Sequence, residues 1–313
     1  MAQTTIVVLG GGGFVGRHIV AQLVSEGHRV VVPTRRREDV RHLILLPTIE
    51  VVEGDIHDPR FLDRLFAGSA AVVNLVGIIN ESGADGFERV HVELPRKVIA
   101  ACHKAGVPRL LHMSALGASA DAPSRYLQTK AAAEAMVAAS GLKWTILRPS
   151  VIFGREDGFL NMFARLARMM PVVALASPKA RFQPVYVGDV ARCFVHAIAD
   201  EITFGGRYDL CGPKVYTLQE LVTYVGEITG AVRPIFALGP ALSSAMATVL
   251  ERLPGKVLTR DNLASMRKDN VCDCPFPAVF GVTPTALESV APSYLSPAAK
   301  RSPFDRYRAE SGR

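Results

Sequence analysis

Val8-Leu9-Gly10-Gly11-Gly12-Gly13-Phe14-Val15-Gly16 stands where a short apolar run ends and an amphipathic one begins. The run at 5–9 reads as a strand and 14–26 as a helix, so the glycines occupy a strand-to-helix turn. Each has a use there: Gly10 permits the tight turn, Gly13 lets the backbone approach a pyrophosphate, and Gly16 lets helix and strand pack closely. The N–H groups at the helix start, around Phe14 and Val15, then face the phosphates. Taken alone, three glycines are equally an ordinary glycine-rich turn. Context separates the two readings, because further strands and helices alternate downstream.

Strands are expected at 5–9, 29–33, 49–53, 71–76, 109–113 and 143–147. Helices are expected at 14–26, 61–66, 87–105 and 124–139, with Gly27, Gly106 and Gly141 at helix C-termini. This alternation predicts an α/β fold with a doubly wound parallel sheet, a Rossmann domain, over residues 1–150. From Val151, Gly, Pro and Arg punctuate shorter elements, so a smaller C-terminal α+β domain is expected over 151–313. Residues 183–187 followed by 189–199 read as one more strand and helix, which predicts a return to the first domain at about 183–210.

The 313 residues are 49% hydrophobic and 21% charged, the balance of a soluble globular protein. Five cysteines, Cys102, Cys193, Cys211, Cys272 and Cys274, are odd in number and read as buried thiols of a reducing compartment. Cys272 and Cys274 have the wrong spacing for a zinc knuckle. His91, His103, His112 and His196 show no pairing with acids or cysteines at ligand spacing, so no metal is expected. Too few residues precede the first apolar run for a signal peptide, and a cytoplasmic location is expected, with peripheral attachment to the inner face of a membrane as the alternative. Residues 235–250 form a 16-residue stretch without charge, too short for a bilayer. It is expected to be a buried helix or helix pair, the alternative being docking on a membrane surface. The net charge of +7 gathers at Arg35, Arg36 and Arg37 and in the tail 300–313. No nucleic-acid partner is expected, because no basic helix, aromatic platform or finger spacing accompanies it.

A nicotinamide dinucleotide is the expected ligand. An NAD-specific site would carry an acid after the second strand, where this chain has Thr34-Arg35-Arg36. A guanidinium can pair with a 2′-phosphate, so NADP(H) is favoured over NAD(H); a solvated basic loop is the competing reading. Asp55 and Ile56 are placed to meet the adenine edge, although Asp55 could equally cap its loop. Asn74, Val76 and Gly77 close the fourth strand beside the cofactor. Tyr126 and Lys130, four apart, share one helix face. An ammonium near a phenol lowers its pKa, fitting Tyr126 for proton exchange with a substrate hydroxyl or carbonyl, and Ser114 could hydrogen-bond the same oxygen. The competing reading is an exposed helix with a packed ring.

With these residues placed, the chain resembles the short-chain dehydrogenase/reductase superfamily in its extended and atypical branches, over about residues 5–210. The resemblance adds Ser140-Gly141-Leu142 and the run from Leu147-Arg148-Pro149 to Gly154. Within that branch it is most similar to the nucleotide-binding accessory subunit family of respiratory complex I and its stand-alone bacterial relatives. Ser124-Arg125-Tyr126-Leu127, Phe153-Gly154-Arg155-Glu156-Asp157 and the stretch from Gln183 to Val190 carry that likeness. The resemblance implies that Tyr126 and Lys130 lie near the cofactor ribose and nicotinamide, and that Pro149, Ser150 and Val151 line the nicotinamide. Extended members are mostly epimerases, dehydratases and reductases, whereas the complex I subunit holds NADPH without established turnover. Two departures matter: Asn74-Leu75-Val76-Gly77 replaces a small-residue stretch, and Ser114 lies only twelve residues before Tyr126.

The expected function is therefore an NADP(H)-dependent oxidoreductase acting on a carbonyl or hydroxyl of an unidentified small molecule. The alternatives are a non-catalytic NADP(H)-bound accessory or assembly protein of a membrane respiratory or quinone-related complex, and a nucleotide-sugar epimerase or dehydratase. Arg155, Glu156, Asp157, Gln183 and Tyr186 are candidates for substrate binding or for interdomain contacts. Helices 87–105 and 124–139 could pair in a homodimer.

Overall fold

Val, Ile and Leu crowd the first strands because both faces of the sheet are covered. Four of the five residues of β1 (Thr5–Leu9) and four of the six of β2 (Arg29–Thr34) are buried. The computed structural model describes residues 4–81, 86–252 and 256–297, so the basic tail 300–313 lies outside the described residues. Along the chain follow α1 (Phe14–Ser25), β3 (Ile49–Glu53), α2 (Pro59–Phe66), β4 (Ala71–Asn74), α3 (Leu94–Ala105), β5 (Arg109–Met113), α4 (Arg125–Ala138) and β6 (Lys143–Pro149). Shorter pieces come next: β7 (Ile152–Phe153), α5 (Phe159–Met169), β8 (Val173–Ala176), β9 (Arg181–Phe182), β10 (Val185–Tyr186), α6 (Val187–Ala199) and β11 (Gly206–Leu210). The chain continues through β12 (Tyr216–Thr217), α7 (Leu218–Thr229), β13 (Ile235–Leu238), α8 (Pro240–Leu250), α9 (Arg260–Ser265), α10 (Leu287–Val290) and α11 (Pro292–Leu295).

Two compact units result. Of the described residues, the first holds 4–149, 187–210 and 274–283, and the second holds those of 150–186, 211–273 and 284–297. The first is a seven-stranded sheet in the order β11-β6-β5-β4-β1-β2-β3, every pair parallel. The order reverses between β1 and β4, and at such a switch point the carboxyl ends of the strands open a crevice. Its core includes Val7, Leu9, Leu62, Phe66, Val72, Leu94, Val98 and Ile146.

All six expected strands form, with shifted ends. β4 stops at Asn74 instead of Val76 because the Asn74 Oδ1 accepts the Val76 N–H at 3.2 Å and turns the chain. The seventh strand, β11, was not anticipated. The segment that supplies it is tied down by Arg109, whose buried guanidinium donates to the carbonyls of Lys143 and Ala197 and to the hydroxyls of Thr145 and Thr203. The expected strand at 183–187 is only β10, which pairs with β7 in the second unit rather than with the large sheet. The expected helix 87–105 divides: Glu88–Glu93 winds as a π-helix before α3, which has Pro95 in its first turn.

The second unit packs Phe153, Leu160, Phe163, Leu175, Leu221, Val225, Leu287 and Leu295. Here residues 235–250 depart from the expected buried helix. They form β13 and α8, and of α8 only Ser243 and Ala247 are buried. Among the described residues no helix is long and apolar enough to cross a membrane.

The cysteine reading is also corrected. Cys211 and Cys272 form a disulfide, Cys274 is exposed, and only Cys102 and Cys193 are buried thiols. Gln183 brings the bridged segments together, its amide donating to the Gly212 carbonyl at 2.7 Å and accepting the Cys272 N–H at 3.0 Å. The step from five thiols to a reducing compartment loses its basis. Burial pushes the Cys102 thiol up to about 12 and raises Cys193 as well, which leaves both unreactive. Alkylation of the native, unreduced protein is therefore expected to modify Cys274 alone, read as a single mass adduct. Two or more adducts before denaturation would contradict the pairing.

Candidate functional site

The glycine turn is built by backbone proximity. Gly10 has φ +79°, the left-handed region that glycine adopts without strain, and its carbonyl accepts the Gly13 N–H at 3.0 Å. A Cβ on Gly16 would lie 2.2 Å from the Gly10 carbonyl oxygen and 2.6 Å from the Gly11 Cα, so only glycine lets α1 begin there. No side chain caps α1, and its first turn contains no acid. The first N–H groups of an α-helix have no partner within the helix, so Phe14, Val15 and Gly16 present donors and a positive dipole end to an anion. This uncapped cradle fits a dinucleotide pyrophosphate.

On the adenine side, β2 ends at Thr34, whose hydroxyl donates to the Arg36 carbonyl at 2.8 Å and accepts the Arg36 N–H at 3.3 Å. Arg35, Arg36 and Arg37 are exposed. The Arg37 N–H donates to Glu53 at the end of β3, at 2.7 Å. Asp55 does cap its loop, one carboxylate oxygen accepting the His57 N–H at 2.8 Å, and Ile56 beside it is half-buried.

On the other side of β1, the chain leaving β4 passes close to the glycine turn. A Cβ on Gly10 would touch the Leu75 and Val76 backbones at 3.4 Å. Gly77 follows, and a Cβ there would stand 2.9 Å from the Lys130 Nζ. Ser124 accepts the Leu127 N–H as the N-cap of α4, which carries Tyr126 and Lys130. Lys130 is 3% exposed and donates to the Met113 carbonyl at 3.1 Å. Burial pushes its ammonium down to about 8 despite the nearby Glu134 carboxylate. Tyr126 is half-buried, and burial pushes its phenol up to about 12, so the lowering expected from Lys130 does not operate in the protein alone.

Ser114 departs from its expected role. Its hydroxyl, 3% exposed, donates to the buried Glu134 carboxylate, which also takes two hydrogen bonds from Arg148. A serine committed to a buried carboxylate has spent its proton away from a substrate oxygen. Pro149 ends β6, its carbonyl accepting the Leu116 N–H at 3.0 Å. Ser150 and Val151 belong to the second unit, where the Ser150 hydroxyl and the Val151 N–H both bond to the Asn270 Oδ1.

Several other candidates are structural. Asp157 is buried and accepts the N–H groups of Gly154, Leu160 and Asn161 and the Tyr294 hydroxyl. The side chain of Gln183 is occupied at both ends, as described above, and Tyr186 packs against Phe153 at 5.7 Å. His196, read as unpaired with acids, meets Asp200 one helical turn on at 2.9 Å. Two buried histidines, His91 and His112, stand beside Lys130 in the field of its charge. Single histidines in apolar runs gave no signal that the fold gathers them there.

A reversed-order parallel sheet, an uncapped glycine turn and a Tyr/Lys helix define a nicotinamide-dinucleotide-binding Rossmann protein. Residues 10–163 match a family described as NAD(P)H-binding, and residues 118–263 match the RmlD substrate binding domain. The chain is 34% identical over 290 residues to the mitochondrial NADH dehydrogenase [ubiquinone] 1 alpha subcomplex subunit 9 of Mus musculus, covering 90% of this chain and 77% of that protein. It is 33% identical over 251 residues to a ceramide reductase of Caulobacter vibrioides, covering 79% and 78%. The UDP-glucose 4-epimerase of Thermotoga maritima shares the fold with a TM-score of 0.72 at 20% identity, covering 96% of this chain and all of that one. The chain belongs to the NAD(P)-binding, short-chain dehydrogenase/reductase-like family that includes the alpha subcomplex subunit 9 proteins.

The buried ammonium of Lys130 costs stability. Because its folded pKa lies below the unfolded one, the cost is complete below about pH 8 and vanishes above about 10.5. Lys130→Met is expected to stabilise the free protein near pH 7 by up to about 3 kcal/mol, the gain shrinking as pH rises to 10.5. Urea denaturation across that range checks this, and a variant destabilised at pH 7 would contradict it.

Proposed function

We propose that the protein is an NADP(H)-dependent oxidoreductase that reduces a carbonyl, or oxidises the corresponding hydroxyl, at the Tyr126/Lys130 edge of the first unit. The observation that carries this reading is the buried Lys130 ammonium held between the Met113 carbonyl and the glycine at position 77, one helical turn after Tyr126. A nicotinamide bound along this edge supplies or accepts the hydride. The Tyr126 phenol, protonated through the neutral range, gives its proton to the reduced oxygen or takes it back in the reverse direction. Lys130 stabilises the phenolate formed in that exchange and offers donors to the ribose hydroxyls. Ser114 takes no part, and Tyr126 orients the reacting oxygen by itself. Arg35 and Arg36 hold the 2′-phosphate beside Thr34, with Asp55 and Ile56 at the adenine edge. Pro149 serves the nicotinamide end. The likeness to a ceramide reductase supports reduction as the direction.

NADPH consumption against a panel of ketones, aldehydes and quinones tests the proposal. Tyr126→Phe is expected to lower kcat at least about 100-fold, the usual weight of a general acid, with cofactor affinity kept within a few-fold. Arg35→Ala with Arg36→Ala is expected to weaken NADPH by about tenfold or more while leaving NADH nearly unchanged. No turnover with any acceptor, or a fully active Tyr126→Phe, would sink the oxidoreductase reading.

One observation favours a second reading, in which the chain holds its cofactor while attached to a membrane. Phe236, Leu242 and Val249 are 57%, 64% and 59% exposed, and Met169 and Val232 still more. Parallel pairing of β8 with β13 puts the segments that precede both strands at one end, so Met169, Met170, Val172 and Val232 gather there near Phe236. Residues 158–188 contribute Arg165, Arg168 and Lys179 and no acid, Arg181 being paired with Asp269, and 228–250 contribute only Arg233. Apolar side chains among cations suit an anionic lipid surface. Co-sedimentation with phosphatidylglycerol vesicles, absent with phosphatidylcholine and lost in Phe236→Asp, is the expected result; equal recovery without vesicles would remove this reading.

A further inference from the structure

The loop leaving β4 is joined to α4 by the side chain of His91, which is 1% exposed and lies in the π-helical turn before α3. Its Nε2 is 3.0 Å from the Ile78 backbone nitrogen, which can only donate. Nε2 is therefore unprotonated, and the ring proton sits on Nδ1. Nδ1 lies 3.0 Å from the Thr129 hydroxyl and donates to it. That hydroxyl has its own proton directed at the Arg125 or Tyr126 carbonyl one turn back, at 2.9 and 3.0 Å. Every polar atom of this buried bridge is thus satisfied in one tautomer only.

The bridge sits where the proposed chemistry needs fixed geometry. Ile78 follows Gly77, whose missing Cβ would meet the Lys130 Nζ at 2.9 Å and the His91 Nε2 at 3.5 Å. Thr129 lies between Tyr126 and Lys130 on α4. The imidazole also meets the Tyr126 ring edge-on at 5.6 Å and stacks on Phe87 at 5.5 Å. One ring therefore fixes the Gly77 backbone, the helix that carries Lys130, and the face of the phenol.

We propose that His91 is a positioning residue for the nicotinamide end of the cofactor, setting the gap between the Gly77–Ile78 backbone and the Tyr126/Lys130 helix. This rests on the reading that a nicotinamide lies along that gap. Burial and the Lys130 charge, with His112 adding a smaller push, hold the ring neutral with its pKa near 2. The bridge therefore keeps one tautomer throughout the pH range in which the protein works. A histidine that only filled space could be replaced by any ring of similar volume.

The test compares two ligands by fluorescence titration of the full chain: NADPH, which spans the site, and 2′,5′-ADP, which reaches only its adenosine half. His91→Phe keeps volume and stacking but removes both hydrogen bonds. It is expected to weaken NADPH about tenfold, the weight of one or two lost hydrogen bonds, and to leave 2′,5′-ADP within about twofold. His91→Gln, which can still accept from Ile78, is expected to recover most of the loss. Thr129→Val removes only the partner of Nδ1 and gives a smaller, equally selective loss, so the proposal stays testable should His91→Phe fold poorly. Equal weakening of both ligands, or of neither, overturns the positioning role. Wild-type protein that binds NADPH no tighter than 2′,5′-ADP overturns the underlying reading with it, and that failure is visible before any His91 variant is compared.

Discussion

The nucleotide-facing edge depends on one close approach, that of α1 to the turn that precedes it. At Gly16 a single added carbon would meet the Gly10 carbonyl at 2.2 Å, and that contact is with backbone, which cannot rotate away. Because the helix starts there, its uncapped N-terminus sits over the carboxyl end of β1, and Gly10 lies against the backbone leaving β4. Two crossovers of opposite direction begin on either side of β1, so a crevice opens above it. What lines that crevice follows from strand order: Thr34 from β2, Glu53 from β3, Asn74 from β4 and Met113 from β5 all arrive at the same edge.

Beside this turn, the inner face of α4 carries an unusual density of buried polar groups. Lys130, Glu134 and Thr129 are all buried there, with His91, His112, Asn74 and Ser114 against or near them. The load is divided by charge. Glu134 is matched by Arg148 and by the Ser114 hydroxyl, which closes one end of the face as structure. Lys130 donates to the Met113 carbonyl, and the two histidines nearby are held neutral by burial and by its charge. The same helix thus holds a settled ion pair and, one turn before it, a costly cation. Stability argues against the cation, and the proposed chemistry is placed there for that reason.

The legible part of the chain is the part with repetition. Six strands and their crossover helices announce themselves by β-branched runs and terminal glycines, and the glycine turn is recognised by its place between β1 and α1. Errors at element ends arose where a side chain overrode periodicity, as when Asn74 captured the Val76 N–H and ended β4 early. Tyr126 and Lys130 could be named because helical spacing puts them on one face. The proton of Ser114 could not be assigned, because its acceptor lies twenty residues on and its partner's counter-ion fourteen beyond that. Proximity between such residues is a property of the sheet, not of the spacing.

The second unit shows why the remainder was hidden. Its strands β7, β9, β10 and β12 are two residues long, too short to display a period of two, and its disulfide joins positions 61 apart. The stretch 235–250 shows the deeper difficulty. Uncharged sequence suggests burial, yet apolar composition specifies only that water is a poor neighbour. A protein core and a lipid surface satisfy that requirement equally well. What separates them is whether the apolar side chains stay exposed in the fold. A helix destined for the core carries a polar side to meet solvent, whereas α8 exposes Leu242 and Val249 and has no charge to set against them. That exposed apolar face, set beside Phe236 on β13, is the feature that supports the proposed membrane contact.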